Sequence, residues 1–315
     1  MTELRTTFCP SAETSLGNRI EYNGTDFKTD HLTPIIIGIT LLFCIFGLVG
    51  NGIVFWFLGF HIRRNPFTIY VLNLAAADFG CLLCLATFFT IYSIGSLFYF
   101  SSELFFSQRA FNIMVLFLYS TSLYLLTAIS TERCVSVLFP IWHRCHRPKR
   151  LSAIVCALLW ALSCLLTGLA CNDCVLNSYE RCNMMLTPLS VTNFLIFPPI
   201  MFVSSLTLFI KVRCSSQRRQ PGKLYIVILL TVLFFLFFAV PLSIVTFLQN
   251  LGNLFKIIII SFMLASINSS INPAIYFLVG SYRNQQLRGS IKHTLQRVFE
   301  DKADSREDRT SVTAT

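Results

Sequence analysis

Tyr119-Ser-Thr-Ser-Leu-Tyr-Leu-Leu-Thr-Ala-Ile-Ser-Thr-Glu-Arg-Cys-Val-Ser-Val-Leu-Phe-Pro-Ile-Trp142 decides the fold, because it has the pattern of the inner half of a long apolar helix that ends in charge. Glu132 and Arg133 lie where that helix should leave a membrane. An Arg at the centre of a bilayer costs about 2.5–3.5 kcal/mol, and less near the surface. One interpretation is an Arg that extends its charged group to the membrane surface. The other is a switch, in which Glu132 holds or releases Arg133.

The composition indicates a membrane protein. Of the 315 residues, 54% are hydrophobic and 13% are charged, whereas a soluble domain has about 25% charged residues. The net charge of +10 comes from basic residues in short segments between apolar runs, which favours the cytoplasmic side of a membrane over nucleic acid as the partner. The 12 Cys residues are dispersed without metal-ligand spacing, so they predict no metal site.

Seven apolar runs, each near the roughly 20 residues that a spanning helix needs, predict an all-α membrane protein, a seven-transmembrane helix bundle. The loops after the first, third and fifth runs are basic, so the positive-inside rule places them in the cytoplasm. The amino terminus is then expected outside the cell and the carboxyl terminus inside. The runs are expected at 34–60, 67–92, 108–139, 151–172, 187–212, 223–248 and 254–279.

This topology divides the chain into four segments. Residues 1–33 are expected to be extracellular, and Asn23 begins a glycosylation sequon there. Residues 34–280 form the transmembrane domain. Residues 281–299 carry apolar residues at helical spacing among basic ones, which predicts an amphipathic juxtamembrane helix on the inner leaflet. Residues 300–315 are expected to be a disordered cytoplasmic tail.

Asp78 lies near the middle of the second run, where a carboxylate needs a partner or a cation. Its expected neighbours offer neutral oxygens and no positive charge, which favours a hard cation such as sodium. The alternative is that Asp78 and these neighbours only hydrogen-bond helices together. The residues predicted to surround Asp78 are Ser122, Asn268, Ser269 and Asn272.

Prolines mark weak points in the last three runs. Asn272-Pro273-Ala-Ile-Tyr276 ends the seventh run, and a Pro removes a backbone donor and bends a helix. Pro199 and Pro241 are candidate kinks in the fifth and sixth runs. We expect these bends to let the inner ends of the helices swing.

One motif per run, in order, resembles the rhodopsin-like family of G-protein-coupled receptors across residues 34–299. These motifs are Gly50-Asn51, Asn73-Leu74 to Asp78, Glu132-Arg133, Trp160, Pro199, Pro241 and Asn272-Pro-x-x-Tyr276. Longer stretches are similar to the Mas-related subfamily. They are Arg64-Asn-Pro-Phe-Thr-Ile-Tyr70, Glu132-Arg-Cys-Val-Ser-Val-Leu-Phe-Pro-Ile-Trp-His-Arg-Cys-His-Arg-Pro148 and Tyr276-Phe-Leu-Val-Gly-Ser281.

The resemblance implies a plasma-membrane receptor and not an enzyme. An extracellular peptide or small molecule would activate a heterotrimeric G protein of the Gq or Gi type, with arrestin and receptor kinases as further partners. Sodium would act as an allosteric ion, and no cofactor is required. The residues that this resemblance implies for the switch are Glu132, Arg133, Asn272, Pro273 and Tyr276, and a basic rim around the G-protein contact is expected from Arg144, Arg147, Lys149 and Arg150.

The resemblance also implies an unusual disulfide. The outer end of the third run has Ser107-Gln-Arg109 where the family has a Cys, so the usual bridge cannot form. The Mas-related subfamily is similar in this respect and ties the fourth run to the fifth. That similarity implies a bridge between Cys174 and Cys182, with Cys171 as the nearby competitor.

A ligand pocket is predicted between the outer halves of the third, fifth, sixth and seventh runs. An apolar stripe at helical spacing is also typical of simple packing, and that alternative stays open. Val115 stands where amine receptors of the family have an Asp, which argues against a monoamine ligand. The predicted lining residues are Phe111, Val115, Tyr119, Leu242, Thr246 and Phe262.

Three other functions compete with that of a ligand-activated receptor. A retinal-binding protein needs a Lys within the seventh run for its Schiff base, and Lys256 lies only at the outer mouth. A transporter or channel would use Asp78 as its ion site, but matched broken helices are not found in the sequence. A receptor-fold protein that acts by basal activity, or by pairing with another receptor, remains an alternative, because Pro221 stands where the family has an acid that latches Arg133.

Overall fold

The computed structural model describes residues 32–61, 65–97, 102–148, 150–176, 186, 188–214, 232–233, 237, 244 and 255–281. The sequon at Asn23, the predicted amphipathic helix, the carboxyl-terminal tail and nearly all of the predicted sixth run lie outside the described residues. The same is true of Leu242, Thr246 and Cys182, and of the side chains of Arg144 and Cys174.

The described ranges form helices α1 (Leu32–Phe60), α2 (Pro66–Leu97), α3 (Ser102–Leu138), α4 (Pro140–Cys145), α5 (Leu151–Leu176), α6 (Phe197–Cys214) and α7 (Phe255–Ser281). A π-helical turn at Thr192–Ile196 precedes α6. The ends of α2 and the start of α3 extend beyond the predicted runs, because a helix continues through polar residues past the apolar core. The sequence predicted a loop where α4 lies, and this short helix begins at a Pro, which favours the first helical position.

All regular secondary structure in these ranges is helical, and six segments are long and apolar enough to cross a membrane. Large apolar side chains face outward, such as Phe46 at 66% exposure and Leu169 at 59%. Polar side chains such as Asp78 and Asn193 are buried instead. This distribution is typical of helices in lipid, where polar groups turn to the interior of the bundle. The prediction of an all-α membrane bundle is confirmed.

Helix α3 lies at the centre of the described bundle, where it packs against α2, α5 and α6. Its consecutive residues Leu123, Tyr124 and Leu125 are all fully buried. Successive side chains of a helix point about 100° apart, so this burial requires neighbours on every side. Helix α3 is therefore surrounded by other helices over this part of its length.

Small residues let α1 and α7 approach closely. A Cβ on Gly47 would collide with Ser270 and Leu82, and one on Gly50 would lie 3.0 Å from the Cβ of Pro273. The Ser270 hydroxyl donates to the Phe43 carbonyl at 2.8 Å across this contact. Close approach through small residues is a general means of packing helices in membranes, because it brings polar groups of neighbouring backbones within reach.

Asn51 completes the backbone of α7 at its proline. Pro273 has no N–H, so the Ser269 carbonyl, four residues earlier, lacks its helical donor. The Nδ2 of Asn51 donates to that carbonyl at 3.0 Å and to the Gly47 carbonyl of its own helix, also at 3.0 Å. Because Asn51 is 1% exposed, water does not replace this donor.

Two consecutive prolines explain the π-helical turn before α6. Pro198 and Pro199 remove two backbone donors, and the N–H of Phe197 bonds to the Thr192 carbonyl five residues earlier. A turn with an extra residue rotates the side chains that precede it. Here it accompanies an inward orientation of Asn193, which is 2% exposed.

Candidate functional site

Asp78 is the centre of a buried polar site and is 0% exposed. Its Oδ1 accepts hydrogen bonds from the hydroxyls of Ser122 on α3, at 2.8 Å, and Ser269 on α7, at 3.0 Å. Its Oδ2 accepts one from the Nδ2 of Asn272 at 2.7 Å. The structure therefore brings three of the four predicted neighbours to Asp78 and joins α2, α3 and α7 through one carboxylate.

Asn268, the fourth predicted neighbour, is 3% exposed and lies one helical turn before Asn272 on the same face of α7. The Oδ1 atoms of both residues are buried and accept no hydrogen bond within the described part of the chain. Buried polar atoms without a partner call for an explanation such as a water or an ion. Asn272, the Asp78 carboxylate and the two hydroxyls provide neighbouring oxygens of the kind that suits a hard cation, and Asn268 adds a further buried oxygen on the same face of α7.

The chemistry of this set restricts the kind of ion. Within the described ranges, no three His, Cys, Asp or Glu side chains come together as a metal site, and such groups are what transition metals prefer. Asp78 is also stabilised without an ion, because three donors already bond to its two oxygens. The site thus fits either a sodium ion or a hydrogen-bonded junction of three helices.

The inner end of α3 carries an ion pair that the sequence did not predict. The Nη2 of Arg147 lies 2.6 Å from the Oε1 of Glu132 and also donates to the Ser152 hydroxyl on α5. The Nε2 of His143 on α4 lies 3.6 Å from the same carboxylate oxygen. The Arg147 side chain is 6% exposed. In this arrangement Arg147 is therefore a buried counter-ion of Glu132, and its place in the expected basic rim stays a prediction.

Arg133 points in another direction. The central carbon of its guanidinium lies 4.2 Å from the centroid of the Phe67 ring on α2, a cation–π contact worth about 0.5–2 kcal/mol. Within the described ranges Arg133 forms no ion pair. Adjacent residues of a helix point about 100° apart, which separates Arg133 from the partners of Glu132. Glu132 and Arg133 form no ion pair with each other in this part of the chain, and the switch between them stays a prediction.

The Asn-Pro-x-x-Tyr motif connects the Asp78 site to the end of α7. Asn272 bonds to Asp78, Pro273 packs on α1 at Gly50, and Tyr276 is 3% exposed. Helix α7 therefore carries both Asn272, which donates to the buried Asp78 carboxylate, and Tyr276, which belongs to the predicted inner switch. Arg144 lies on α4, and its predicted contact with a G protein stays a prediction.

The described members of the predicted ligand pocket are largely buried. Val115, Tyr119 and Phe262 are 1%, 4% and 3% exposed, and Phe111 is partly exposed. The ring of Phe262 packs edge-on against Phe88 and Phe89 of α2, with centroids 5.8 and 6.2 Å away. These two aromatic residues were not predicted, because an apolar pair in an apolar run carries no distinguishing signal. The pocket itself stays a prediction.

A second polar cluster, between α3 and the π-helical turn, was also missed. The Tyr124 hydroxyl donates to the Oδ1 of Asn193 at 2.8 Å, and the Nδ2 of Asn193 donates to the Ser120 hydroxyl at 2.7 Å. The Tyr124 ring stacks on Phe197, with centroids 3.9 Å apart. The signal that was available is an Asn inside an apolar run, five residues before a Pro-Pro pair.

Comparison with known proteins extends over most of the chain. The sequence model of the family described as 7 transmembrane receptor (rhodopsin family) matches residues 50–276. That range contains Asp78, Glu132, Arg133 and Tyr276, so the buried carboxylate and the inner ion pair both fall within the match.

Three similar proteins align with this chain over most of their own length and most of its length. Human Proto-oncogene Mas is 42% identical over 283 residues, 87% of this chain and 86% of that protein. Mas-related G-protein coupled receptor member H of Rattus norvegicus is 42% identical over 311 residues, 96% of this chain and 95% of that protein. Mas-related G-protein coupled receptor member D of Macaca fascicularis is 40% identical over 294 residues, 89% of this chain and 90% of that protein.

Proposed function

The chain belongs to the rhodopsin family of seven-transmembrane receptors and is a G-protein-coupled receptor of the Mas-related type, and from this premise we propose which of its parts signal. It is a multi-pass membrane receptor and not an enzyme. The proposal places it in the plasma membrane, with its amino terminus outside. Its transducer is of the Gq or Gi type, and arrestin and receptor kinases act on the activated receptor. The basic loops after the first, third and fifth spans support this orientation.

The contacts of the Arg133 guanidinium are the observation that supports this proposal most. This cation lies at the inner end of the central helix, and in the described ranges it has an aromatic contact and no ion pair. A cation–π contact is weaker than a set of charge-assisted hydrogen bonds. A G-protein segment that offers carbonyl or carboxylate oxygens can therefore replace the Phe67 ring as the partner of the Arg133 guanidinium. Movement of α6 and of the sixth span opens the inner end for that segment.

Helix α3 supplies the connection to the ligand. Phe111 and Arg133 are 22 residues apart, which is about 33 Å along a helix and close to the thickness of the hydrocarbon core. A ligand at the outer end and a G protein at the inner end then contact one element. Each shifts the equilibrium between two positions of that element according to its preference for one of them.

The test is Arg133→Ala at matched surface expression. We expect basal activation of Gq and Gi heterotrimers, measured by subunit dissociation in cells, to fall to background. His146→Gln is the control, because His146 is an exposed side chain in the same loop. Undiminished activation by the Arg133→Ala receptor would remove Arg133 from the switch.

We also propose that the Asp78 site binds sodium. Asp78, Ser122, Ser269 and Asn272 would hold the ion, with Asn268 on the same face of α7. The supporting observation is the pair of buried amide oxygens that accept no hydrogen bond within the described ranges. The ion would neutralise the carboxylate and tie α2, α3 and α7 together, which favours the arrangement in which they are already in contact.

Thermal unfolding of the purified receptor tests this site without any ligand. An ion that binds only the folded state stabilises it, so we expect a higher midpoint in sodium chloride than in an equal concentration of N-methyl-D-glucamine chloride. Asp78→Asn should abolish that difference. Equal midpoints for the unmodified receptor in the two salts would leave Asp78 as a hydrogen-bonding junction only.

A further inference from the structure

The position of Arg147 suggests a role that differs from membership of a basic rim. Two Arg side chains are candidate partners of Glu132, its neighbour Arg133 and the more distant Arg147. The structure pairs it with Arg147 at 2.6 Å, while Arg133 lies over Phe67. A carboxylate that is 16% exposed strongly requires a counter-ion, because removing one partner of a buried pair leaves an uncompensated charge.

Several contacts favour the orientation in which the Glu132 carboxylate faces Arg147. The Ser152 hydroxyl on α5 anchors the same nitrogen of Arg147 that binds Glu132. Tyr70 on α2 is 3% exposed and lies close enough to the Glu132 carboxylate to interact with it electrostatically. The backbone after Arg147 is fixed as well, because the Leu151 N–H donates to the Pro148 carbonyl at 3.2 Å.

Loss of Arg147 would leave Glu132 with two other cationic candidates in the described surroundings. His143 lies 3.6 Å away, but an imidazole is a cation only when it is protonated. Arg133 is always charged and adjacent in sequence. A Glu132 without Arg147 would therefore rotate towards Arg133 and compete with Phe67 and with any incoming partner for its guanidinium.

We propose that Arg147 is a positioning residue for coupling: it engages Glu132 and thereby leaves Arg133 available to the G protein. This inference rests on the proposed role of Arg133. It reverses the usual expectation for a buried ion pair at a switch, because breaking this pair should weaken signalling. The Arg147 side chain contributes by binding the Glu132 carboxylate and does not itself contact the G protein.

The experiment is a double-mutant cycle on basal activation of Gq and Gi heterotrimers at equal surface expression. Arg147→Gln should lower activation by about threefold to tenfold, in the range of coupling between contacting residues. Glu132→Gln should not lower it, because a neutral amide no longer competes for Arg133. The double variant should return to within about twofold of Glu132→Gln alone. His146→Gln, at an exposed side chain next to Arg147, should resemble the unmodified receptor.

The suppression by Glu132→Gln is the decisive result, because a residue that only shapes the loop would give a double variant as weak as Arg147→Gln. Unchanged or increased activation in Arg147→Gln would also overturn the inference. If that variant fails to reach the surface, Ser152→Ala removes an anchor of Arg147 without altering charge, and a smaller loss, again suppressed by Glu132→Gln, is expected. Failure of the Arg133 proposal is separate, since it would show as full activation by Arg133→Ala.

Discussion

At the scale of single residues, Asn51 shows how one side chain completes a proline-broken helix. It supplies the donor that Pro273 cannot give to the Ser269 carbonyl. We expect Asn51→Ala to leave that carbonyl buried without a donor and to lower the free energy of unfolding by about 1–3 kcal/mol. The midpoint of thermal unfolding measures this loss. Thr87→Ala is the control, because its exposed hydroxyl bonds within its own helix, and an equal loss in both variants would contradict the role of Asn51.

The same scale shows what the sequence can and cannot predict about a site. Asp78 and three of its neighbours were predictable, because a membrane-embedded carboxylate restricts its partners to polar residues at the same depth. The pairing of Glu132 with Arg147 was not, because it depends on how the segment after α4 returns to α5. Nothing in the spacing of these two charges distinguishes Arg147 from the other basic residues of that loop.

At the scale of elements, the π-helical turn makes a specific contact between α3 and the start of α6. Tyr124 both stacks on Phe197 and donates to Asn193. Tyr124→Phe keeps the ring and leaves the Oδ1 of Asn193 without its donor, so we expect a loss of about 1–3 kcal/mol in unfolding free energy. Thermal unfolding in detergent measures it. Asn193→Leu together with Tyr124→Phe should recover part of the loss, because no buried polar group is then left unpaired. A larger loss in the double variant would contradict this account.

The helices themselves were predictable to different degrees. Apolar length identifies a span, because roughly 20 residues cross the hydrocarbon core, and α1, α5 and α7 accordingly begin and end near their predicted limits. Apolar length does not show where a helix continues beyond that core, as α2 and α3 do. It also does not reveal α4 or the π-helical turn, since these depend on prolines at Pro140 and at the start of α6 and on the packing around them.

At the scale of the whole molecule, the remaining prediction concerns which end of the bundle faces outward. If the amino terminus is extracellular, Asn23 and the Cys174–Cys182 pair share the oxidising, glycosylating compartment. We expect a glycosidase to increase the mobility of the receptor on gels and Asn23→Gln to abolish that shift. Peptide mapping without reductant should recover a Cys174–Cys182 link, while Cys171, an exposed free thiol in the structure, should remain alkylatable.

Two features of the chain make this test of orientation selective. Asn268-Ser-Ser270 is also a glycosylation sequon, but Asn268 is buried on α7, so a glycan that survives Asn23→Gln would not come from it. Cys171 is three residues from Cys174, about one helical turn, so a Cys171–Cys182 link would show that the outer end of α5 was misaligned. A receptor without a glycan at Asn23, and with Cys174 alkylated from the cytoplasmic side, would reverse the orientation and with it the assignment of Arg133 to the G-protein face.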